Sequence, residues 1–179
     1  MRSSTKPSAP PMTRTLDLDT LEFLDEVFEL ARDGDADTLA GLLDQGLPPN
    51  LADQRGDSLL MLACSRGHGE LARVLLEHGA DPDMRNDLRQ TPLAHAAQQG
   101  DLRLVQMLLQ HGADVESTLP EGRTALMIAA MGNRVDVVEV LLAHGADIRA
   151  RDAAGMTARE AAQSVGAFDA ATRLASLMH

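Results

Sequence analysis

The sequence predicts an all-α solenoid of five stacked helix-turn-helix pairs joined by short hairpin fingers. Three observations carry that expectation. First, Ser58, Thr91, Thr124 and Thr157 are each 33 residues apart, and Leu60, Leu93 and Leu126, Leu75, Leu108 and Leu141, and Gly79, Gly112 and Gly145 keep step with them. A fixed internal period marks a chain built of stacked units. Second, each period holds two short runs of apolar residues at helical spacing, divided by a glycine or its substitute. Third, aromatic residues make up only 2% of the chain, with no Trp or Tyr. The core must then be Leu, Ala, Val and Met, which suits closely packed helices better than a sandwich of aromatic and β-branched strands.

Residues 1–15 are Pro- and Ser-rich without periodicity and read as a disordered tail, with Met12 a candidate natural start. Pro7, Pro10 and Pro11 disfavour the amphipathic helix of a transit peptide. Asp19, with Glu22 three residues on, is the expected N-cap of the first helix. Leu21, Leu24, Val27, Phe28 and Ala31 supply its apolar face, and Gly34 ends it. A second helix follows over about residues 36–45 and stops at Gly46. Pro48 and Pro49 then force an extended segment.

The next periods repeat one plan. Ser58, Thr91, Thr124 and Thr157 cap the helices that follow them, and Pro92 fills a first helical position where its missing N–H costs nothing. Ala96, Ala97, Ala129 and Ala130 let neighbouring helices approach closely. Gly67 and Gly100 allow the chain to double back, and Asn133 takes that place in the next period. Leu71, Val74 and Leu75, with Leu104, Val105 and Leu108 and then Val137, Val138 and Leu141, form the buried stripe of the second helices. The ends depart from the plan. Asp25 and Glu26 stand in the Thr-Pro slots, so the first helix should begin earlier. Arg159 stands at a core leucine position, and Phe168, Ala171, Leu174 and Leu177 are expected to turn the last helix toward the stack.

The 33-residue period, with Thr91-Pro92-Leu93 opening one helix and His111-Gly112-Ala113-Asp114 closing the next, resembles the ankyrin repeat. The resemblance covers about residues 19–178, within a domain of residues 16–179, with repeats at about 19–52, 53–85, 86–118, 119–151 and 152–178. Met61, Ala94 and Met127 replace the histidine usual after Thr-Pro-Leu.

The resemblance implies a non-catalytic module that binds a partner protein through its fingers and the concave face of its first helices. Carried onto this chain, the binding residues are Arg55 and Asp57, then Arg85, Leu88, Arg89 and Gln90, then Leu119, Glu121 and Arg123 on the fingers, with Arg66, Gln98, Gln99 and Met131 on the concave helices. None is demanded by the repeat, so each is free to serve recognition. Arg89 occupies the finger slot filled elsewhere by Gly56, Gly122 and Gly155, and Leu119 replaces the Asp or Asn of Asp53, Asn86 and Asp152. The first requires an unfavourable backbone or a different turn, and the second loses a turn hydrogen bond. The irregular turn around residues 85–90 is therefore the expected centre of binding. An alternative is a small-molecule or metal-binding regulator using His95 with Gln98 and Gln99.

Other chemistries find little support. The chain lacks a phosphate-cradling loop, a His-Glu-x-x-His and a Cys-x-x-Cys. His78, His111 and His144 recur with the repeat, but stacked helices lie about 8–10 Å apart, too far for ligands that must each lie about 2.0–2.1 Å from one zinc ion. No metal or cofactor is expected. The net charge of −11 opposes nucleic-acid binding and would steer a basic partner. The sole cysteine, Cys64, stands where the next repeat has Ala97 and reads as a small buried thiol. With no apolar span or signal segment, the expected protein is a cytoplasmic monomer. The preference for Arg over Lys, with abundant Ala and Leu, points to a bacterial genome.

Overall fold

The computed structural model describes residues 18–178. It contains ten helices, α1 (Leu18–Asp33), α2 (Ala36–Asp44), α3 (Leu59–Arg66), α4 (Gly69–Glu77), α5 (Pro92–Gln99), α6 (Leu102–Gln110), α7 (Ala125–Met131), α8 (Val135–Ala143), α9 (Ala158–Ser164) and α10 (Phe168–Leu177). Odd-numbered helices pack on one another to form one layer, and even-numbered helices form a second layer behind them. The core between the layers is aliphatic, with Leu60, Leu93 and Leu126 stacked against Leu71, Leu75, Leu104, Leu108 and Leu141, all essentially inaccessible. Ala63, Ala96, Ala97, Ala129, Ala130 and Ala162 are buried in the first layer, where a larger side chain would hold the helices apart.

Local rules set the helix ends. The side-chain oxygens of Ser58, Thr91, Thr124 and Thr157 accept the backbone N–H three residues on. In α9 Glu160 completes a capping box by accepting from the Thr157 N–H at 2.8 Å. Asp35 caps α2 in the same way. Asp19 does not cap α1: it lies within the first turn, where a carboxylate still meets the positive end of the helix dipole. As Asp25 and Glu26 foretold, α1 starts well before the corresponding helices of later repeats. The proposed tail over residues 1–15 lies outside the described residues.

Each repeat is also tied to its neighbour by polar bonds. Asn50 Oδ1 accepts from the Asp81 N–H at 2.7 Å, Asp83 Oδ1 from Asp114 at 2.9 Å and Glu116 Oε1 from Asp147 at 2.8 Å. Asn133 adopts φ +54° and also binds the next repeat, accepting from the Ala170 N–H and donating to Asp169. Its side chain therefore contributes a link that glycine could not.

The last helix differs from expectation. Ala170, Ala171 and Leu174 face the stack, whereas Phe168 is 72% exposed and Leu177 is 42% exposed. Phe168 aligns with Leu102 and Val135, which are partly covered because another repeat follows them. Leu177 aligns with the outward-lying His78, His111 and His144. Position in the array, not residue type, decides both.

Because Leu108 is fully buried between two repeats, Leu108→Ala is expected to destabilise the protein by about 2–5 kcal/mol. Urea unfolding followed by far-UV circular dichroism would measure the loss.

Candidate functional site

Four fingers project between successive repeats, with tips at residues 53–57, 86–90, 119–123 and 152–156. They share one backbone turn: Gly56, Arg89, Gly122 and Gly155 donate N–H to the carbonyls of Asp53, Asn86, Leu119 and Asp152 at 2.8–2.9 Å. The glycines have φ between +72° and +78°, and Arg89 follows them at φ +59°. The turn is thus retained at Arg89, and the side chain sits in a left-handed backbone that disfavours it.

In three fingers a side chain braces this turn. Asp53 Oδ1 accepts from Arg55 and Asp57, Asn86 Oδ1 from Gln90, and Asp152 Oδ1 from Ala154 and Met156. Leu119 has no such acceptor, so the turn itself in finger 3 is closed by backbone bonds. Burial opposes the Asp53 charge, but the two N–H donors and the Arg32 guanidinium at 3.0 Å outweigh it and hold this carboxyl below its usual range.

The fingers are also stitched tip to tip. The Asp87 N–H donates to the Arg55 carbonyl at 3.0 Å, and the Ala153 N–H to the Glu121 carbonyl at 2.9 Å. The corresponding residue of finger 3 is Pro120, which has no N–H. The carbonyl it would have met belongs to Leu88. Between fingers 2 and 3 the link is made instead by Arg85, whose guanidinium donates to the Thr118 carbonyl at 2.6 Å, Ser117 Oγ at 2.7 Å and the Arg89 carbonyl at 3.2 Å. A cleft of about 390 Å³ opens there, lined by Arg85, Arg89, Thr118, Leu119 and Pro120. A second cleft, about 440 Å³, lies between fingers 1 and 2, with Arg55, Asp57, Met61, Leu88, Gln90 and His95 among its walls.

These two clefts gather many of the residues singled out from the sequence and separate them by role. Leu88 is 68% exposed at the tip of finger 2. The Arg89 guanidinium makes no hydrogen bond or ion pair among the described residues. Asp57 is engaged by Arg55 at 3.2 Å and by the Asn86 amide at 2.8 Å, and Gln90 also accepts from Asn86. Arg123 is half-buried beside Glu121 at 3.4 Å and Asp152 at 3.9 Å, so it braces fingers 3 and 4. On the concave helices Arg66 and Gln98 are exposed and Met131 is half-exposed, while the Gln99 amide donates to the Ser65 carbonyl. His95 is half-buried, and burial holds its pKa below the usual value, against the pull of Asp57. Gln99 thus faces the preceding repeat rather than joining His95 in one polar patch.

The remaining reactive-looking groups are occupied structurally. Cys64 is fully buried, and burial, aided by Asp101, pushes its thiol up to about 12. Ser65 Oγ donates to the Leu62 carbonyl, and His68 Nε2 donates to the Arg32 carbonyl, so the two side chains are not coupled. His78, His111 and His144 each turn Nδ1 back to a carbonyl one turn earlier at 2.8–2.9 Å. His78 alone gains a carboxylate, Asp44 of the preceding repeat, at 3.0 Å.

Paired helices, an alanine-lined first layer and projecting fingers define a helical repeat protein whose fingers differ in sequence from repeat to repeat. The sequence pattern described as Ankyrin repeats (3 copies) matches residues 27–119 and 97–178. The chain belongs to the ankyrin repeat family, whose members are generally non-catalytic modules of protein–protein interaction. A Pseudomonas aeruginosa protein, named as an ankyrin repeat protein, is 52% identical over 59 residues. That match spans 33% of this chain and 34% of the relative. No helix among the described residues is long and apolar enough to cross a membrane.

Two expectations follow. Arg89→Gly should stabilise the fold by up to about 1 kcal/mol by relieving the left-handed backbone, measurable as a higher urea midpoint. The second concerns His78, whose pKa is raised by the hydrogen bond to Asp44 and then by the Val74 carbonyl. This stabilisation is fully present below the unfolded value of 6.5 and is lost as pH rises through the higher folded value. The melting-temperature advantage over Asp44→Asn should therefore be present in mild acid and vanish above neutrality.

Proposed function

We propose that this protein is a non-catalytic binding module that holds a partner protein against fingers 1 to 3 and the adjoining concave helices. The observation that carries this reading is at the tip of finger 2. Leu88 exposes an apolar side chain, and Arg89 keeps a strained backbone while its guanidinium has no partner among the described residues. Neither choice helps the fold, since Gly56, Gly122 and Gly155 make the same turn without strain. A strained residue retained at an exposed tip fits recognition.

The rest of the surface supports a protein interface. Arg66, Gln98 and Met131 border the same concave side, and mixed Arg, Met and apolar groups are typical of interface cores. Glu121, Arg123 and Arg55 flank the centre and are held by ion pairs, so they shape the fingers before a partner arrives. The protein would act as a monomeric scaffold or inhibitor. Its lone thiol, reduced and buried, suits the cytoplasm.

Affinity capture from the native cell, with proteins identified by mass spectrometry, tests the reading. Leu88→Asp and Arg89→Glu should each reduce recovery of the specific partner by about tenfold or more while leaving the far-UV spectrum unchanged. Undiminished recovery by both variants would sink this assignment of the site.

A further inference from the structure

Building on the protein-binding reading, we propose that the cleft between fingers 2 and 3 receives an extended, acidic segment of the partner, with a carboxylate held by Arg89 and Arg85 and a main-chain N–H donated to the Leu88 carbonyl.

Charge balance within the fingers points there. Arg55 meets Asp57, Arg123 meets Glu121 and lies near Asp152, and Arg151 meets Glu160 at 3.3 Å. Finger 2 carries one carboxylate, Asp87, but its Oδ1 lies against Gly56 of finger 1 and it forms no ion pair with Arg85 or Arg89 among the described residues. Arg85 spends its donors on three neutral oxygens, and Arg89 has no partner among the described residues. Asp83 feels the Arg85 charge, but its carboxylate is taken by the Asp114 N–H. Among the described residues no carboxylate lines the cleft. Finger 3 begins with Leu119, where fingers 1 and 4 begin with Asp53 and Asp152. The acid that these two fingers place at the start of the turn is absent beside a cleft lined by Arg85 and Arg89.

The backbone adds direction. Carbonyls corresponding to Leu88 are met by the next finger, Arg55 by Asp87 and Glu121 by Ala153. Pro120 leaves this place vacant, so an incoming strand can supply the N–H that finger 3 lacks. A carboxylate bound by two guanidiniums forms charge-assisted bonds, and Leu119 and Pro120 in the cleft wall offer apolar contact. The net acidity of the chain does not forbid this. Solvent-exposed charges more than about 8 Å away are largely screened at physiological salt, so the local pair dominates.

The test is fluorescence anisotropy of the full chain with three fluorescein-labelled twelve-residue peptides. They differ only in a central pair of Glu, Gln or Lys flanked by leucines. The Glu peptide should bind at least about tenfold more tightly than the Gln peptide, as truncating one partner of a charge pair costs. Arg89→Gln should remove most of that preference, and Arg103→Gln, an exposed arginine on the opposite layer, should leave it intact. Pro120→Ala restores the N–H; it should raise the melting temperature and weaken the Glu peptide. Equal binding of Glu and Gln peptides, preference for Lys, no binding of any peptide, or an unaltered preference in Arg89→Gln overturns the proposal. An unweakened Glu peptide in Pro120→Ala overturns the main-chain contact. If the proposal falls while partner capture still depends on Leu88, the protein-binding reading stands with a different partner chemistry; if capture is also independent of Leu88 and Arg89, both fail.

Discussion

Every helix pair in this chain leaves an apolar side that only another pair can cover. Leu104, Val105 and Leu108 are buried because repeats stand on both sides of them. Their stabilisation therefore belongs to the array and not to one repeat. The same dependence explains why Phe168, Val165 and Leu177 are exposed at the last repeat, and why Leu21 and Phe23 are exposed at the first. Among the described residues no further repeat lies over these side chains.

Stacking also decides what the fingers can do. Because the leucine core and the polar links at Asn50, Asp83 and Glu116 fix the spacing of repeats, the fingers need not carry the fold. Their residues can depart from the most favourable turn at modest expense. Arg89 and Leu119 are such departures, and they fall on adjacent fingers. Pro120 converts them into one feature, since its missing N–H removes the stitch that closes the other tip contacts. Arg85 then bridges the gap with its side chain and leaves a cleft beneath.

Much of the fold was legible from one dimension. The helix caps at Ser58, Thr91, Thr124 and Thr157 and the left-handed conformation at Asn133 follow from neighbours within a few residues, and the structure bears them out. At Arg89 the sequence left open an unfavourable backbone or a different turn, and the structure shows the first. The roles of the binding candidates were harder to read. Arg123, Gln99 and Asp57 looked free because their partners, Asp152, Ser65 and Asn86, lie about one repeat away. The Pro120 signal was present in the sequence, but its meaning needed the backbone link between Asp87 and Arg55 to be seen first.

The sequence by itself determined the period, the caps, the aliphatic core and the position of the two irregular fingers. These depend on residue type at fixed spacing, and helix geometry converts spacing into faces. Only the tertiary structure decided which finger residues are engaged and which are free. That question is settled by contacts across repeats, where a side chain's reach and the presence of one backbone N–H decide the outcome. Finger 2 is distinctive on this account: its strained arginine has no partner among the described residues, and the residue of finger 3 that corresponds to the N–H donors of the other tip contacts is a proline.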